Sequence, residues 1–169
     1  MQVALLEPAH AAPYRALMLQ AYELAADAFT STAEERAAEP ESWWIKRIAD
    51  PQGMTAAFGA FEGQQLIGTV ALEFSAKPKT RHKALLIGMY VEPSARRCGA
   101  GKALLAAALA HARGRAGTRV LTLTVTQDNE PAVCLYRAAG FEAFGTEPMA
   151  ILTPGGFRGK VHMWHRLTP

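Results

Sequence analysis

The stretch that most constrains the fold is Arg96-Arg97-Cys98-Gly99-Ala100-Gly101-Lys102. An apolar run, Ala84 to Val91, leads into it and stops at Glu92-Pro93. An Ala/Leu-rich run, Ala103 to Ala112, leads out of it. The pattern reads as strand, tight glycine turn, helix. Such a unit demands a parallel partner strand on its far side. The turn also aims several backbone N–H groups at one point, at the positive end of a helix dipole. No residue from Arg96 to Lys102 is proline, so every N–H is available. The glycines let a ligand approach the backbone closely, and two arginines and a lysine add charge. The natural guest is a phosphate or pyrophosphate.

Two familiar phosphate motifs fail on these residues. A P-loop has Arg96 where its first glycine would be, and Ala103 where the magnesium-binding hydroxyl would be. A dinucleotide fingerprint has Leu104 in place of its third glycine. What remains is Arg-x-x-Gly-x-Gly following Val-x-Pro.

The rest of the chain supplies a mixed sheet. Gln2 to Leu6 reads as a short strand, and Tyr14 to Ala28 as a helix with Leu17, Ala21, Leu24 and Ala28 on one stripe. Thr32-x-x-Glu35 is a capping box for a second helix. Pro40 interrupts that helix, and Ser42 can cap a further turn or two through Trp43 to Ile48. Thr55 to Phe61 and Gln65 to Phe74 form a hairpin about Glu62-Gly63-Gln64. Ala84 to Val91 is apolar on both faces, which suits a central strand. Arg119 to Thr126 alternates Leu121, Leu123 and Val125 against threonines, another strand. Asn129 caps a helix with Pro131 in its first turn, and Gly140 stops that helix. Strands at about Phe141 to Leu152 and Lys160 to Leu167 finish the chain. There is no repeat and no composition break, so residues 1–169 read as a single domain.

The chain has 169 residues, 50% of them hydrophobic, enough for a sizeable core. Its apolar runs fall short of a membrane span, and no signal-like segment opens it, so it reads as soluble and cytoplasmic. Cys98 and Cys134 have neither zinc spacing nor disulfide density. Charge is uneven: Lys77 to Arg119 holds ten Lys/Arg against one acid, whereas Gln20 to Asp50 holds seven acids against three bases. That suggests a polyanion on one face and, more weakly, a cationic partner near the other. Nucleic acid is not favoured, because no aromatic-interleaved RNA motif or helix-turn-helix accompanies the basic segment.

After the second parallel strand comes Asn-Glu-Pro-Ala-Val-Cys-Leu-Tyr-Arg-Ala-Ala-Gly-Phe, from Asn129 to Phe141. Asn129 and Tyr136 are seven residues apart. That is two helical turns, so they share a face ~10 Å apart along the axis. Together with the glycine turn, this segment resembles the GNAT superfamily of acetyl-CoA-dependent N-acetyltransferases, over most of Thr55 to Leu167. The resemblance implies an α/β (α+β) fold, with a mostly antiparallel six- or seven-stranded sheet, a central splayed parallel pair and helices on both faces. It implies acetyl-CoA as cofactor and a small-molecule or peptide amine as acceptor, by direct transfer in a ternary complex. It implies that Met89, Tyr90 and Val91 form the strand segment along the pantetheine arm. Arg96, Arg97, Cys98, Gly99, Ala100, Gly101 and Lys102 would surround the pyrophosphate, and the Asn129 side chain would meet the arm. Tyr136 would protonate the departing thiolate, and a phenol with pKa ~10 suits that task.

The general base stays open. Some protein-acetylating relatives carry a glutamate five residues before the asparagine, and here that position is Thr124. Glu73 is the first choice, as it ends an apolar strand and is expected to be partly buried. Glu92, His82 and a water relay are the alternatives. His162-x-x-His165 has an odd strand spacing, which points the rings to opposite faces, so it is no metal pair. Trp43, Trp44 and Phe29 read as helix core or as acceptor-pocket wall. No Ser-His-Asp arrangement accompanies a strained glycine elbow. A CoA-binding sensor without turnover is the rival function. The last two strands leave an edge that a homodimer could cover.

Overall fold

The computed structural model describes residues 1–167. Among these, seven strands form one sheet in the order β1-β2-β3-β4-β5-β7-β6. They are β1 (Gln2–Leu5), β2 (Thr55–Glu62), β3 (Gln65–Phe74), β4 (Lys83–Val91), β5 (Val120–Thr126), β6 (Glu142–Thr153) and β7 (Gly156–Arg166). The helices are α1 (Ala11–Leu24), α2 (Ala33–Ala37), α3 (Glu41–Ile48), α4 (Ala100–Gly114) and α5 (Glu130–Ala138). Every strand pair is antiparallel except β4–β5. This is the expected architecture, with seven strands rather than six.

Two apolar clusters sandwich the sheet. On one face α4 buries Leu104, Leu105, Ala108 and Leu109, the stripe expected from the sequence, against Val70, Leu72, Leu121 and Leu123. Each such leucine stabilises the fold by ~1.5–3 kcal/mol. On the other face α1 and α3 bury Tyr14, Met18, Trp44 and Ile48 against Ala57 and Ala71. Trp44 is 1% exposed and is core; Phe29 is only partly buried.

The first helix departs from the expected span. It starts at Ala11 and ends at Leu24, and a separate 3-10 turn covers Ala26–Ala28. Pro13 sits in its first turn, where the missing N–H has no intrahelical partner to lose. The buried stripe runs through Tyr14, Leu17, Met18 and Ala21, and Leu24 is 62% exposed. With its last apolar residue facing water, the helix has no packing reason to continue. The Thr32 capping box forms as expected, with Glu35 N–H to Thr32 Oγ1 at 3.1 Å and Thr32 N–H to Glu35 Oε2 at 2.7 Å. Ser42 does not cap α3; Pro40 holds the N-cap position in an extended conformation, and Ser42 lies inside the helix. α4 begins at Ala100 rather than Ala103, because Gly99 already turns the chain into the helix.

At the far edge, β6 is mostly exposed. Its register shifts twice, once across a segment holding Pro148 and Met149, the latter at φ +50°. Bulges and proline are how an open edge resists pairing with another strand. No helix among the described residues is long and apolar enough to cross a membrane.

Candidate active site

The parallel ladder joins only Lys83–Leu85 to Val120–Thr122. Beyond Leu85, β4 stays with β3 while β5 stays with β7, so the two central strands part. The β4 backbone groups that faced β5 lose their ladder there, and a buried group in that state needs another partner. A bulge drives the divergence. Thr69 pairs with Tyr90 and Ala71 with Ile87, so Gly88 and Met89 together oppose Val70. Gly88 takes φ +60°, a conformation that costs a side-chain-bearing residue ~1–2 kcal/mol.

A cleft of about 220 Å³ fills the gap. Leu86 to Met89 of β4 and Thr124 to Thr126 of β5 line two sides. Asn129, Ala132, Leu135 and Tyr136 of α5 line a third. Ala28, Phe29, Thr30, Arg47 and Lys160 line the remainder. The fold thus brings Met89, Asn129 and Tyr136 together at one cavity.

The glycine turn adjoins this cleft. Arg97 sits at φ +64° and Gly99 at φ +86°. Left-handed residues in a turn gather successive N–H groups into an anion-binding concavity. Among the described residues, no N–H from Arg97 to Lys102 has a backbone partner, and Ala103 N–H is the first to donate, to Gly99 O at 3.0 Å. The Arg96 Nε–H donates to Val91 O at 3.2 Å, tying the turn to the end of β4. The Cys98 thiol donates to Ala95 O at 2.7 Å. A Cβ on Gly101 would stand 3.4 Å from Leu135 Cδ2 and 3.5 Å from Met89 Cε, both residues of the cleft wall.

Tyr136 is held by the end of its own helix. Phe141 N–H donates to Tyr136 O at 3.0 Å and Gly140 N–H to Arg137 O at 2.9 Å, a Schellman closure. The Phe141 ring meets the Tyr136 ring edge-on at 5.9 Å. Tyr136 is 6% exposed, and burial pushes its phenol up to about 12. Its hydroxyl makes no hydrogen bond among the described residues. Asn129 caps the helix, its Oδ1 accepting from Ala132 N–H at 3.4 Å. That leaves the Nδ2 donors for a ligand. Tyr90 turns its ring away from the cleft into the α1 core, where its hydroxyl is buried without a partner among the described residues, so only its backbone can serve a ligand.

The candidate bases do not line this cleft. The Glu73 carboxylate lies 3.6 Å from Arg47 Nη1 and is 43% exposed, so the ion pair occupies it. Glu92 accepts from Gln65 Nε2 at 3.5 Å, and His82 is exposed in its loop. The acidic segment Gln20–Asp50 gives the cleft Ala28, Phe29, Thr30 and Arg47, but none of its seven acids. Glu23 and Asp27 line a neighbouring groove instead. The expected acidic acceptor side is therefore absent from the cleft itself. No local sequence pattern marks Arg47 or Lys160 as a site residue. Each is one basic residue among eighteen, and only the folding of α3 and β7 toward the gap distinguishes them.

Residues 18–141 match the family model described as "Acetyltransferase (GNAT) family". The chain is 36% identical over 115 residues to a mycothiol acetyltransferase of Geodermatophilus obscurus, covering 65% of this chain and 34% of that protein. It spans about a third of the length of the mycothiol acetyltransferases it matches over more than a hundred residues. The fold superposes on the acetyltransferase of GNAT family from Streptococcus pneumoniae with a TM-score of 0.81, 23% identity, and coverage of 99% of this chain and 100% of that one. It superposes on a Salmonella typhimurium protein solved with its cofactor acetyl-CoA with a TM-score of 0.83 and 19% identity, covering 100% of this chain and 95% of that one.

Proposed function

The chain belongs to the GNAT family of acetyltransferases, and from that premise we propose that it moves an acetyl group from acetyl-CoA to a primary amine, directly, in a ternary complex. One observation carries this reading: unpartnered N–H groups from Arg97 to Lys102 abut a cleft that holds Asn129 and Tyr136. The residues fit CoA. The turn offers converging donors with Arg96, Arg97 and Lys102 beside them, for a pyrophosphate. The unladdered strand from Leu86 to Val91, Tyr90 included, offers backbone groups for an amide-bearing arm.

When bound, acetyl-CoA would supply a thioester, an acyl group open to an amine nucleophile with a thiolate as leaving group. A free strand N–H of β4, at Val91 or nearer the splay, receives the developing oxyanion charge. The Tyr136 hydroxyl gives its proton to the sulfur and regains one from solvent. The extra proton of the amine leaves through water, since no carboxylate lines the cleft among the described residues. Glu73 can join only at the far end of such a relay, and only by parting from Arg47.

The test is thiol release with acetyl-CoA and an amine panel. Free CoA should accumulate with at least one amine in proportion to acetylated product. CoA binding with no turnover across the panel would favour a sensor domain. A cytoplasmic location fits the two free cysteines. Strand-to-strand pairing at β6 is opposed by its bulges and Pro148, so any self-association there would run through the exposed side chains Phe144, Met149 and Leu152. Sedimentation should show a dimer at tens of micromolar that Leu152→Lys disperses. A wild-type monomer under those conditions removes the dimer.

A further inference from the structure

The charged side chains that line the cleft are Arg47 and Lys160, and no acid accompanies them among the described residues. They come from different elements, Arg47 from α3 and Lys160 from β7. Lys160 is 7% exposed, and its ammonium makes no ion pair or hydrogen bond among the described residues. The burial falls mainly on the stem: the ammonium is only partly desolvated and opens onto the cleft, where an anion would complete it. Burial lowers its pKa, and Glu147 on the adjacent strand opposes the shift from a distance. The Glu147 carboxylate is engaged elsewhere, 3.3 Å from His162 Nε2. Arg47, unlike Lys160, has an ion-pair partner in Glu73, but it keeps hydrogen-bonding capacity to spare. Its Nη1 reaches Glu73 at 3.6 Å, its guanidinium lies 5.2 Å from the Trp43 ring centre, and its Nε is buried without an acceptor among the described residues.

A pair of partly unsatisfied cations facing one cavity is a site for an anion. The CoA phosphates have their own cradle at the glycine turn, so this second positive centre is left for the other substrate. We propose that the acceptor is a small amine carrying a carboxylate, and that Lys160 and Arg47 hold that carboxylate in the cleft. The proposal rests on the acetyl-transfer reading for the word "acceptor", but the carboxylate site stands on the cleft alone. It also accounts for the missing carboxylate base. Two cations near the bound amine disfavour its ammonium form, so the nucleophilic free amine is favoured without an acid–base partner. The acid that does lie close, Glu73, is held 3.6 Å from Arg47 Nη1 outside the cleft lining, while Glu23 and Asp27 face the outer groove, where Asp128 is paired to Arg158 at 3.2 Å.

The probes are L-amino acids, the matching amino amides, and linear diamines as acceptors. Their N-acetyl acids and N-acetyl amides serve as ligands of the CoA-loaded protein in calorimetry. Wild type should prefer acid over amide by ~10-fold or more in both kcat/KM and binding, the worth of one charge-assisted contact. Lys160→Met should erase most of that preference while leaving KM for acetyl-CoA unchanged, and Lys160→Arg should restore part of it. Preference for acids in binding, erased by Lys160→Met, with no turnover of any amine, supports the carboxylate site and removes the transfer reading. Equal handling of acids and amides, or preference for diamines, overturns the carboxylate site and leaves transfer standing. A Lys160→Met loss of kcat equal for acids and amides, with a shifted pH profile, would make Lys160 a base and also overturn it.

Discussion

Gly101→Glu should abolish measurable CoA binding, with affinity falling at least ~100-fold. Gly101 is in the first turn of α4, within the run of free N–H groups. A carboxylate there would face the bound pyrophosphate. Like charges ~4 Å apart repel by up to ~4 kcal/mol at the dielectric of a protein surface, and ~3 kcal/mol already exceeds a hundredfold. The fold should survive. Gly101 has helical rather than left-handed backbone, and an added Cβ would meet its neighbours at 3.4 Å and 3.5 Å, which is ordinary contact. An acid in a helix's first turn is also favourable toward the dipole when no anion is bound. Gly101→Ala is the control. It adds the Cβ without the charge, raises helix propensity by up to ~1 kcal/mol, and should cost CoA affinity little. Calorimetry with both variants separates charge from bulk. Unchanged CoA affinity in a folded Gly101→Glu protein would remove CoA from the turn.

The elements that made the sequence legible are those whose signals are local. The Thr32 capping box, the Gly140 stop and the Leu104–Leu109 stripe each depend on residues within two turns of one another. The 3–4 spacing through Leu24 and Ala28 extends the helical pattern past the real end of α1 at Leu24, because those residues have no surface to pack on. The site divides in the same way. The glycine turn and the Asn129–Tyr136 pair are short-range patterns, so both were visible. The splay was not written in any single strand. It comes from the Gly88 bulge together with the separate loyalties of β4 to β3 and β5 to β7. Arg47 and Lys160 are 113 positions apart, and nothing in sequence links them until α3 and β7 reach one cavity. Glu73 is partly buried, as its place at the end of an apolar strand implies, but no sequence pattern links it to its partner Arg47.

Tyr136→Phe should lower turnover ~10- to 1,000-fold while leaving the KM for acetyl-CoA almost unchanged. The substitution keeps the ring, and with it the edge-on contact to Phe141 and the Schellman closure that holds the helix end. Only the hydroxyl goes. That hydroxyl makes no hydrogen bond to protein among the described residues, so its removal strands no buried partner. If it serves the leaving thiolate, the interaction exists mainly in the transition state. Its loss then lowers kcat and kcat/KM together. The lower end of the range applies if water reaches the sulfur in its place. The pH profile adds a check with a definite sign. Burial raises the folded pKa to about 12, above the free phenol near ~10. The proton is therefore in place throughout neutral and mildly alkaline solution, and Tyr136 should impose no alkaline limb there. Above ~10 the unfolded chain ionises first, so this phenol's share of stability, fully present below that pH, is lost as pH climbs toward 12. Tyr136→Phe should flatten that part of the alkaline loss in melting temperature. Wild-type turnover in Tyr136→Phe, with chemistry shown to be rate-limiting by single-turnover kinetics, would make Tyr136 a packing residue and leave the thiolate to another donor.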